Sequence, residues 1–495
     1  MKRPDRGAGN CARNHEAPAA CHETGRGTPN PARNKRTTAA VAALGLAVTL
    51  AACSVPGAGG GTSDEQLAGG RITKPVSPDK VKKLGKTDLR IIADSGEQGF
   101  LKKFVPLYEK KYPNVDVKVE TKAFADFSKT IVNTMSGDNP PDLVQGNQGY
   151  GVDGLLVQSG LLRPIDDVAH AYGWDLDLPS GATSQLRWSS DGRIFGSGNL
   201  YGISQSNEYV GVFSNKKKLK KLGIEEPKTW ADFTEALKKA EKNGEQPIML
   251  GNSDQYPAEQ LLGTIQAQKQ SVSASRAWVN GVPGTTFATE ANRESAETLR
   301  DWAKKGYLGS GYNGVSSDDA VTKFTGGKGV FLVAGAWNAP AIGKQLKDDA
   351  LFTIPEKPDG TVAAAGSFGL PWHISAKTEK TDAAIAWLGM MQGEEGAQAM
   401  ADAGRLPVRT KGVTMPDKLA ERQAAAGKRL LDDDGQTYYF DWASNSMMTT
   451  IGSATQDLLT GRLGTDAYLG KVQKDWKGFR ADQEKAAEKK SGADK

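Results

Sequence analysis

Cysteine and histidine are scarce in this sequence, and their positions exclude several kinds of chemistry. The 495 residues include three cysteines and four histidines. Cys11 and Cys21 lie before an apolar segment, so Cys53 is the only cysteine in the rest of the chain, and that part cannot form an internal disulfide. The same part keeps only His170 and His373 and contains no Gly-x-Ser-x-Gly motif. A catalytic triad built on serine or cysteine is therefore not indicated.

The chain also lacks a charge surplus outside its first residues. The formal net charge is +5, and residues 1–52 hold eight Lys/Arg and three Asp/Glu, which accounts for all of it. The remaining chain carries 55 positive and 55 negative residues. A basic body that binds phosphate backbones is excluded on average, so we expect no nucleic-acid partner.

Long hydrophobic runs are missing as well, apart from one near the start. Residues 39–52 have no charged residue and follow Arg33, Lys35 and Arg36. A helix of this length reaches about 21 Å, which is short of a hydrocarbon core of about 30 Å, so the run is typical of a signal peptide. We predict that residues 1–52 are a signal peptide with a long leading region.

The four residues that end this run resemble the lipobox of bacterial lipoproteins. They read Leu-Ala-Ala-Cys and end at Cys53, which the resemblance makes the acylated first residue of the mature chain. The following residues are rich in Gly, Pro and charge. We therefore predict a lipidated Cys53 and a flexible tether over residues 53–85, with the protein anchored at the extracellular face of the cell membrane.

The body alternates strand and helix patterns. Residues 89–93 and 115–119 read as strands, and the segment 141–145 leads to a third. Apolar residues at helical spacing lie between them, so the order is β-α-β-α-β. This order predicts an α/β sheet with ligand sites at the carboxyl ends of its strands.

Several segments, in this order along the chain, resemble the extracellular solute-binding proteins of carbohydrate ABC importers, the maltose- and maltodextrin-binding branch. The resemblance covers roughly residues 86–480. The segments that carry it are YEKKYPNV (108–115), SGDNPPDLV (136–144), SGLLRPI (159–165), LYGI (200–203), FSNK (213–216), LGIEEPKTW (222–230), FTGGKGV (324–330), GAWN (335–338) and AGRLPVR (403–409).

The resemblance implies a type II periplasmic-binding-protein fold, with two α/β lobes, each a sheet flanked by helices, joined by hinge segments. We expect lobe 1 over 86–205 plus 320–365 and lobe 2 over 206–319 plus 366–485, followed by a charged tail over 486–495. It also implies a monomer without catalysis or cofactor, which captures a mono- or oligosaccharide between the lobes and delivers it to the transmembrane subunits of an ABC permease.

Aromatic rings and polar groups are the expected elements of such a site, because a sugar presents flat C–H patches and hydroxyl groups. The resemblance places a stacking ring at Trp337, and Tyr256 and Trp442 lie near other aromatic positions of the family. Asn147 and Gln148 stand where maltose-binding relatives carry a Trp and an Asp/Arg pair, which argues against maltose itself. The remaining predicted ligand-binding residues are Glu97, Glu208, Asn338, Trp372, His373 and Arg405.

Two alternative functions remain open at this point, and so does the membrane partner of a binding protein. A glycoside-acting enzyme needs two carboxyl groups about 5 to 10 Å apart, which a sequence does not exclude. A ferric-ion-binding protein of the same fold would use Tyr438 and Tyr439 with His373 and Glu208, although we expect no metal site because paired aromatic residues are more often packing. A sensor that presents its ligand to a membrane receptor would have the same sequence features as a permease partner.

Overall fold

The computed structural model describes residues 67–493, with side chains to residue 488. The predicted signal peptide and Cys53 lie outside this part. The strands are β1 (Thr87–Asp94), β2 (Val115–Lys122), β3 (Leu143–Gln145), β4 (Arg187–Trp188), β5 (Asn199–Leu200), β6 (Glu208–Asn215), β7 (Ile248–Met249), β8 (Phe331–Gly335), β9 (Ala350–Thr353), β10 (Ala364–Ser367), β11 (Trp372–Ile374) and β12 (Gln436–Thr437).

Helices surround these strands. They are α1 (Pro78–Lys82), α2 (Gln98–Lys111), α3 (Phe124–Ser136), α4 (Asp153–Gln158), α5 (Asp166–Tyr172), α6 (Trp174–Asp177), α7 (Ser180–Ser184), α8 (Lys216–Leu222), α9 (Trp230–Lys242), α10 (Tyr256–Ala267), α11 (Val272–Val279), α12 (Glu290–Lys304), α13 (Ser317–Thr325), α14 (Ala339–Leu346), α15 (Thr381–Met391), α16 (Glu394–Asp402), α17 (Lys418–Asp432), α18 (Met447–Leu459) and α19 (Thr465–Ala493).

The first lobe is built on a four-stranded sheet in the order β11-β3-β1-β2. Strand β1 pairs in parallel with β2 and with β3, while β11 pairs antiparallel with β3. Helix α2 buries Phe100, Phe104 and Tyr108 in the core of this lobe and ends before Pro113. The predicted β-α-β-α-β order is confirmed, and it brings the ends of β1 and β3 to one edge.

The second lobe is built on a six-stranded sheet in the order β12-β10-β6-β8-β7, with β9 also paired to β6. Strands β8 and β9 lie within the segment 320–365, and both pair antiparallel with β6. The prediction that 320–365 belongs with lobe 1 is therefore wrong. Conversely, β11 lies in the lobe 1 sheet although we assigned residues from 366 onward to lobe 2. Backbone pairing decides this order, and the sequence pattern of a buried strand does not identify its partner.

Three stretches of chain pass side by side between the two sheets, and we call them the connecting segments: 203–208, 367–372 and 405–408. Ile203 bridges to Trp372, and Ser367 pairs with Glu208. On the other side, the Asn207 amide donates to the Leu406 carbonyl and the Val408 amide to the Gln205 carbonyl. Paired backbone therefore joins the lobes, and residues at these crossings lie where the lobes meet.

The start of the described chain is docked on the first lobe and is not a free tether. The guanidinium of Arg163, fully buried, donates to the carbonyls of Ala68 and Gly70 at 2.9 and 2.8 Å and also binds Asp167 through both terminal nitrogens. The Ile72 amide donates to the same Asp167 carboxylate at 2.7 Å. The prediction of a flexible tether over 53–85 is therefore wrong for residues 67–85, because a partner 95 positions away satisfies their backbone groups.

The expected charged tail over 486–495 begins inside the last helix of the described chain. Helix α19 runs from Thr465 to Ala493 and packs Tyr468, Leu469 and Val472 into the core of the second lobe. Within residues 67–493 no helix is both long and apolar enough to cross a bilayer.

The buried Arg163–Asp167 pair yields a stability prediction. Burial alone raises the pKa of Asp167, but the bonds from Arg163 and from the Ile72 amide outweigh it and lower that pKa below its usual value. Arg163→Ala leaves a buried carboxylate and the carbonyls of Ala68, Pro164 and Gly70 without their partner, so we expect it to lower the free energy of unfolding by about 3 kcal/mol in urea denaturation.

The neighbouring pair Arg187–Asp166 is the matched control, because both side chains are partly exposed at 29% and 38%. Arg187→Ala is expected to lower the free energy of unfolding by no more than about 1 kcal/mol. Equal losses of unfolding free energy in the two variants would contradict the stabilising role of Arg163.

Candidate functional site

Arg405 joins carboxylates from both lobes at the connecting segments. Its Nη1 lies 2.7 Å from Oε1 of Glu97 in the first lobe, and its Nη2 donates to Oε1 of Glu208, the first residue of β6 in the second lobe. Arg405 is 6% exposed, Glu97 1% and Glu208 7%, so the three charges are enclosed where the lobes meet. The predicted residues Glu97, Glu208 and Arg405 are thus brought together into one ion-pair network.

Neighbouring polar groups complete this network. Gln205 donates from Nε2 to Oε2 of Glu97 at 3.1 Å, and the Ser206 hydroxyl donates to Oε1 of Glu208 at 3.1 Å. Gln205 and Ser206 lie on a connecting segment, which places their side chains beside the charges of both lobes. The carboxylates therefore keep hydrogen-bond partners although they are buried.

Asp94 is a site residue that the sequence reading missed. It ends β1, and its Oδ1 accepts from the Gly96 amide at 2.8 Å in the turn that leads to Glu97. Its Oδ2 is buried and has no hydrogen-bond partner. Burial, together with the nearby Glu97 charge, raises the pKa of Asp94 to about 6. The one available signal was its position at the carboxyl end of a strand.

Trp337 presents an aromatic face outside the hydrophobic cores. It follows β8 in a short 3-10 turn, and a Cβ on Gly335 would lie 2.1 Å from the indole ring, so the ring rests on bare backbone. Trp337 is half-buried, and within residues 67–488 no other ring stacks on it. Because β8 runs antiparallel to β6, the end of β8 lies beside the beginning of β6, at the same edge as Glu208. The side chain of Asn338 donates to the Gly335 carbonyl at 3.1 Å and fixes this turn.

Tyr256 meets a ring of the other lobe. Its ring lies edge-on to Phe124, with 5.9 Å between centroids. Phe124 begins α3 of the first lobe and Tyr256 begins α10 of the second, so this contact joins the lobes. Burial raises the pKa of the Tyr256 phenol, and the charges of Asp254, Asp318 and Asp94 add to the increase. Phe124 was not predicted, because a single aromatic at a helix start has no distinctive pattern.

A second group of buried carboxyls lies beside Asn147 and Gln148. The Asn147 amide nitrogen is 3.4 Å from Oδ2 of Asp441, and Gln148 donates to the Gly369 carbonyl at 2.6 Å. Burial raises the pKa of Asp441 to about 7. The pKa of Glu259 is also raised, by burial and by the charge of Asp441. Asp441 and Glu259 were missed, since they come together only through folding.

Three predicted ligand-binding residues lie elsewhere. Trp372 is fully buried in the core of the first lobe, 6.1 Å from Trp387 between ring centroids. Both ring nitrogens of His373 face protein groups, with Nδ1 2.8 Å from the Tyr201 carbonyl and Nε2 3.2 Å from Oδ1 of Asp153. We therefore place both residues in the interior of the first lobe, because their side chains are 0% and 1% exposed.

Trp442 is also corrected to a core residue. It is 1% exposed and belongs to a hydrophobic core with residues of both lobes, where Tyr438 and Tyr439 pack against it at 5.4 and 5.5 Å. Its backbone carbonyl accepts from the Tyr150 amide of the first lobe at 3.0 Å. The ring therefore supports the position of Asp441 instead of contacting a ligand. Among residues 67–488, no group of three or more His, Cys, Asp or Glu side chains is arranged to hold a metal ion.

The arrangement combines carboxylates, amides and an arginine with rings at the meeting edge of two lobes. Carboxylates accept hydrogen bonds, amides donate and accept, and Arg405 donates only. Aromatic faces supply apolar contact. Such a set recognises a small polar molecule by its hydrogen-bonding groups, and the two-lobed fold with this interlobe site is that of a solute-binding protein.

Comparisons with known proteins agree with this class. The profile of the bacterial extracellular solute-binding protein family matches residues 93–398, more than half of the chain. A multiple sugar-binding protein of Streptococcus mutans is 24% identical over 306 residues, which cover 58% of this chain and 72% of that protein. This chain belongs to the bacterial extracellular solute-binding protein family.

Solved structures show the same fold. A chitin oligosaccharide binding protein superposes with a TM-score of 0.68 at 22% identity, over 80% of this chain and 99% of that one. A structure from work on xylan utilization by Caldanaerobius polysaccharolyticus superposes with a TM-score of 0.69 at 19% identity, over 78% and 99%. The expected type II periplasmic-binding-protein fold is thereby confirmed.

The raised pKa of Asp441 predicts a pH-dependent stability. With a folded-state pKa of about 7 against an ordinary value of 3.8, the folded protein binds a proton that the unfolded chain has released. Stability from this group is therefore complete below about pH 4 and is lost as the pH rises towards 7. Asp441→Asn cannot lose a proton at this position, so the variant does not lose stability in this way. The difference in free energy of unfolding, variant minus native, should therefore increase from about pH 5 to about pH 8 in urea titrations.

Asp359→Asn is the control for this titration. Asp359 is exposed, and hydrogen bonds from Thr361 lower its pKa, so it is already ionised across the same pH range. Its free energy of unfolding relative to the native sequence should stay constant with pH. If Asp441→Asn gave the same flat profile, Asp441 would not carry the raised pKa.

Proposed function

We propose that this chain captures a mono- or oligosaccharide between its two lobes and delivers it to an ABC permease, as a monomer that needs no cofactor. Family membership supports the solute-binding role. The Streptococcus mutans relative and the chitin oligosaccharide protein bear names of sugar-binding proteins, which favours a carbohydrate as the solute.

The observation that carries the proposal is the half-buried Trp337 ring at the same edge as buried hydrogen-bond acceptors. The indole offers a flat apolar face for the C–H side of a sugar ring. Asp94 and Glu208 offer carboxylate oxygens to hydroxyl groups, and the Oδ2 of Asp94 has no partner in the protein. A ligand rich in hydroxyl groups and with one apolar face fits both features.

Ligand access follows from the connecting segments. Glu97, Glu208 and Arg405 are enclosed between the lobes, so a ligand reaches them only when the lobes separate. Rotation about three paired segments is a hinge motion, and the ligand favours closure by binding the closed arrangement more tightly. Asp94 and Tyr256, on opposite lobes, would then both contact the sugar.

The two alternative functions find less support in the site. For a ferric-ion-binding protein, Tyr438 and Tyr439 would have to be ligands, yet both pack against Trp442. For a glycoside-acting enzyme, the buried pair Glu259 and Asp441 supplies two carboxyls, but the Phe440 amide donates to Glu259 at 3.0 Å and Asn147 lies against Asp441. The family is one of binding proteins, and this favours capture over catalysis.

Stacking on Trp337 is tested after a sugar ligand has been found. A thermal-shift screen of mono- and oligosaccharides finds it, because a ligand at a hundredfold excess over its dissociation constant stabilises the folded protein by about 2.7 kcal/mol. We expect Trp337→Ala to weaken the affinity for that sugar at least tenfold, equivalent to about 1.4 kcal/mol, in isothermal titration calorimetry.

Trp230→Ala is the matched control for the loss of an indole. Trp230 is also half-buried but packs against Phe233 and Trp302 in the second lobe, at 5.5 and 6.0 Å. Its variant should keep the affinity for the sugar even if the protein becomes less stable. An unchanged affinity in Trp337→Ala would refute the stacking role.

Anchoring is the remaining part of the proposal. We propose that the leader is removed before Cys53 and that a lipid on Cys53 holds the protein at the extracellular face of the membrane; the Leu-Ala-Ala-Cys sequence supports this. Mass spectrometry of the mature N-terminal peptide should show a Cys53 of increased mass. Cys53→Ala should move the protein from the membrane fraction to the medium, and a soluble native protein with unmodified Cys53 would refute the anchor.

A further inference from the structure

A strip of exposed lysines covers the first docked segment of the chain. Residues 71–86 hold six Lys/Arg and a single acidic residue, whereas the body as a whole is neutral. We call the exposed lysines of this segment the basic strip: Lys74, Lys80, Lys82, Lys83 and Lys86. A local surplus of this size in a neutral body forms a positive patch on the surface.

The basic strip is fixed to the first lobe beside the place where the described chain begins. Gly69 lies against Thr381, since a Cβ on this glycine would be 2.6 Å from the threonine Cβ. Lys80 lies 3.8 Å from the carboxylate of Asp382. Both contacts are at the start of α15, so the start of the described chain and α1 share one end of that helix. The bonds of Arg163 to Ala68 and Gly70 hold this part of the chain in place.

The length of chain before the strip limits its distance from a lipid on Cys53. Leu67 is fourteen residues beyond Cys53, and a fully extended chain of that length spans no more than about 50 Å. The docked segment begins within that reach. An anchored protein therefore keeps the docked segment within about 50 Å of the bilayer.

Within the distance that the linking chain allows, electrostatic attraction favours the orientation in which the basic strip faces an anionic bilayer. A lysine near an anionic lipid surface adds about fivefold to the partition towards that surface, and the attraction acts over a Debye length of about 8 Å in physiological salt. One acyl chain with a basic patch is one of the two-signal combinations that give stable membrane anchoring.

We propose that the basic strip binds anionic phospholipid headgroups, so that the first lobe lies against the membrane and the second lobe stays free to move. The proposal rests on the anchoring proposed above. The basic strip is then an interaction surface separate from the interlobe site, and its partner is a phospholipid bilayer.

The test replaces the acyl anchor with a chemical one, so that its result does not depend on the modification of Cys53. The chain from residue 54 to 495, which contains all the residues that the structure describes, carries an N-terminal histidine tag and is bound to vesicles with a nickel-chelating lipid. This chain has no cysteine, so Ser77→Cys in the strip or Ser310→Cys in the second lobe gives a single labelling site. Both serines are exposed. Energy transfer to an acceptor-labelled lipid then measures the proximity of each site to the bilayer.

Two variants that each lose five positive charges are compared on vesicles of phosphatidylcholine, alone or with an equal amount of phosphatidylglycerol. One changes the five lysines of the basic strip to Gln. The matched control changes five exposed lysines of the second lobe to Gln: Lys216, Lys220, Lys221, Lys242 and Lys304.

We expect energy transfer from position 77 to exceed that from position 310 on the anionic vesicles. It should fall to the phosphatidylcholine level in about 0.5 M salt, where the Debye length is about 4 Å. The strip variant should lose the same increase, with a partition lower by roughly a thousandfold, while the control variant keeps it. The proposal would be overturned if energy transfer from position 77 did not change with phosphatidylglycerol or with salt. It would also be overturned if the control variant lost as much of this energy transfer as the strip variant. An unmodified Cys53 in the native protein would instead refute the anchor alone.

Discussion

The bond of one buried arginine to carboxylates of two lobes is the interaction on which the site depends. A guanidinium enclosed in protein is tolerated only with partners for its charge, and Arg405 finds one in each lobe, Glu97 and Glu208. Removing either partner would leave a charge buried without compensation. The ion pairs of Arg405 with Glu97 and Glu208 therefore define the closed position of the lobes. The connecting segments supply the rest, because Gln205 and Ser206 bond to the same carboxylates.

Near that network, some buried polar atoms have no hydrogen-bond partner in the protein, among them Oδ2 of Asp94. Burial raises the pKa of Asp94 and of Asp441, which shows that their surroundings do not fully compensate a negative charge. Hydroxyl donors from a ligand would provide that compensation. Asp94 and Asp441 make the closed protein less stable at high pH. Hydrogen bonds from a bound ligand would therefore stabilise these two carboxylates most. A binding protein that releases its ligand to a partner benefits from a site that is only partly satisfied by itself.

Individual residues show how far a pattern in the sequence leads to the structure. The strand before Glu97 and the helix after it follow from β-branched residues and from apolar spacing, which are local properties. Glu97, Glu208 and Arg405 were predicted because they follow strands or lie in recognisable segments, and folding joined them. Trp372 and His373 were predicted as well, yet β11 pairs with β3 and both side chains are buried in the protein. Phe124, Glu259 and Asp441 had no local signal, since their partners lie more than a hundred residues away, and Asp94 had only its position at the carboxyl end of a strand.

Sequence patterns were sufficient to predict the alternation of strands and helices, the neutral body, the single cysteine after the apolar run and the family of the chain. These properties follow from composition and from spacing over a few turns of chain. The folded structure was needed to show that β8 and β9 complete the second sheet, that the carbonyls of Ala68 and Gly70 bind Arg163, and which polar groups share the interlobe site. Strand partners and buried ion pairs join distant parts of the chain, and the free energy that selects them comes from burial and hydrogen bonding in the whole fold, which no short stretch of sequence contains.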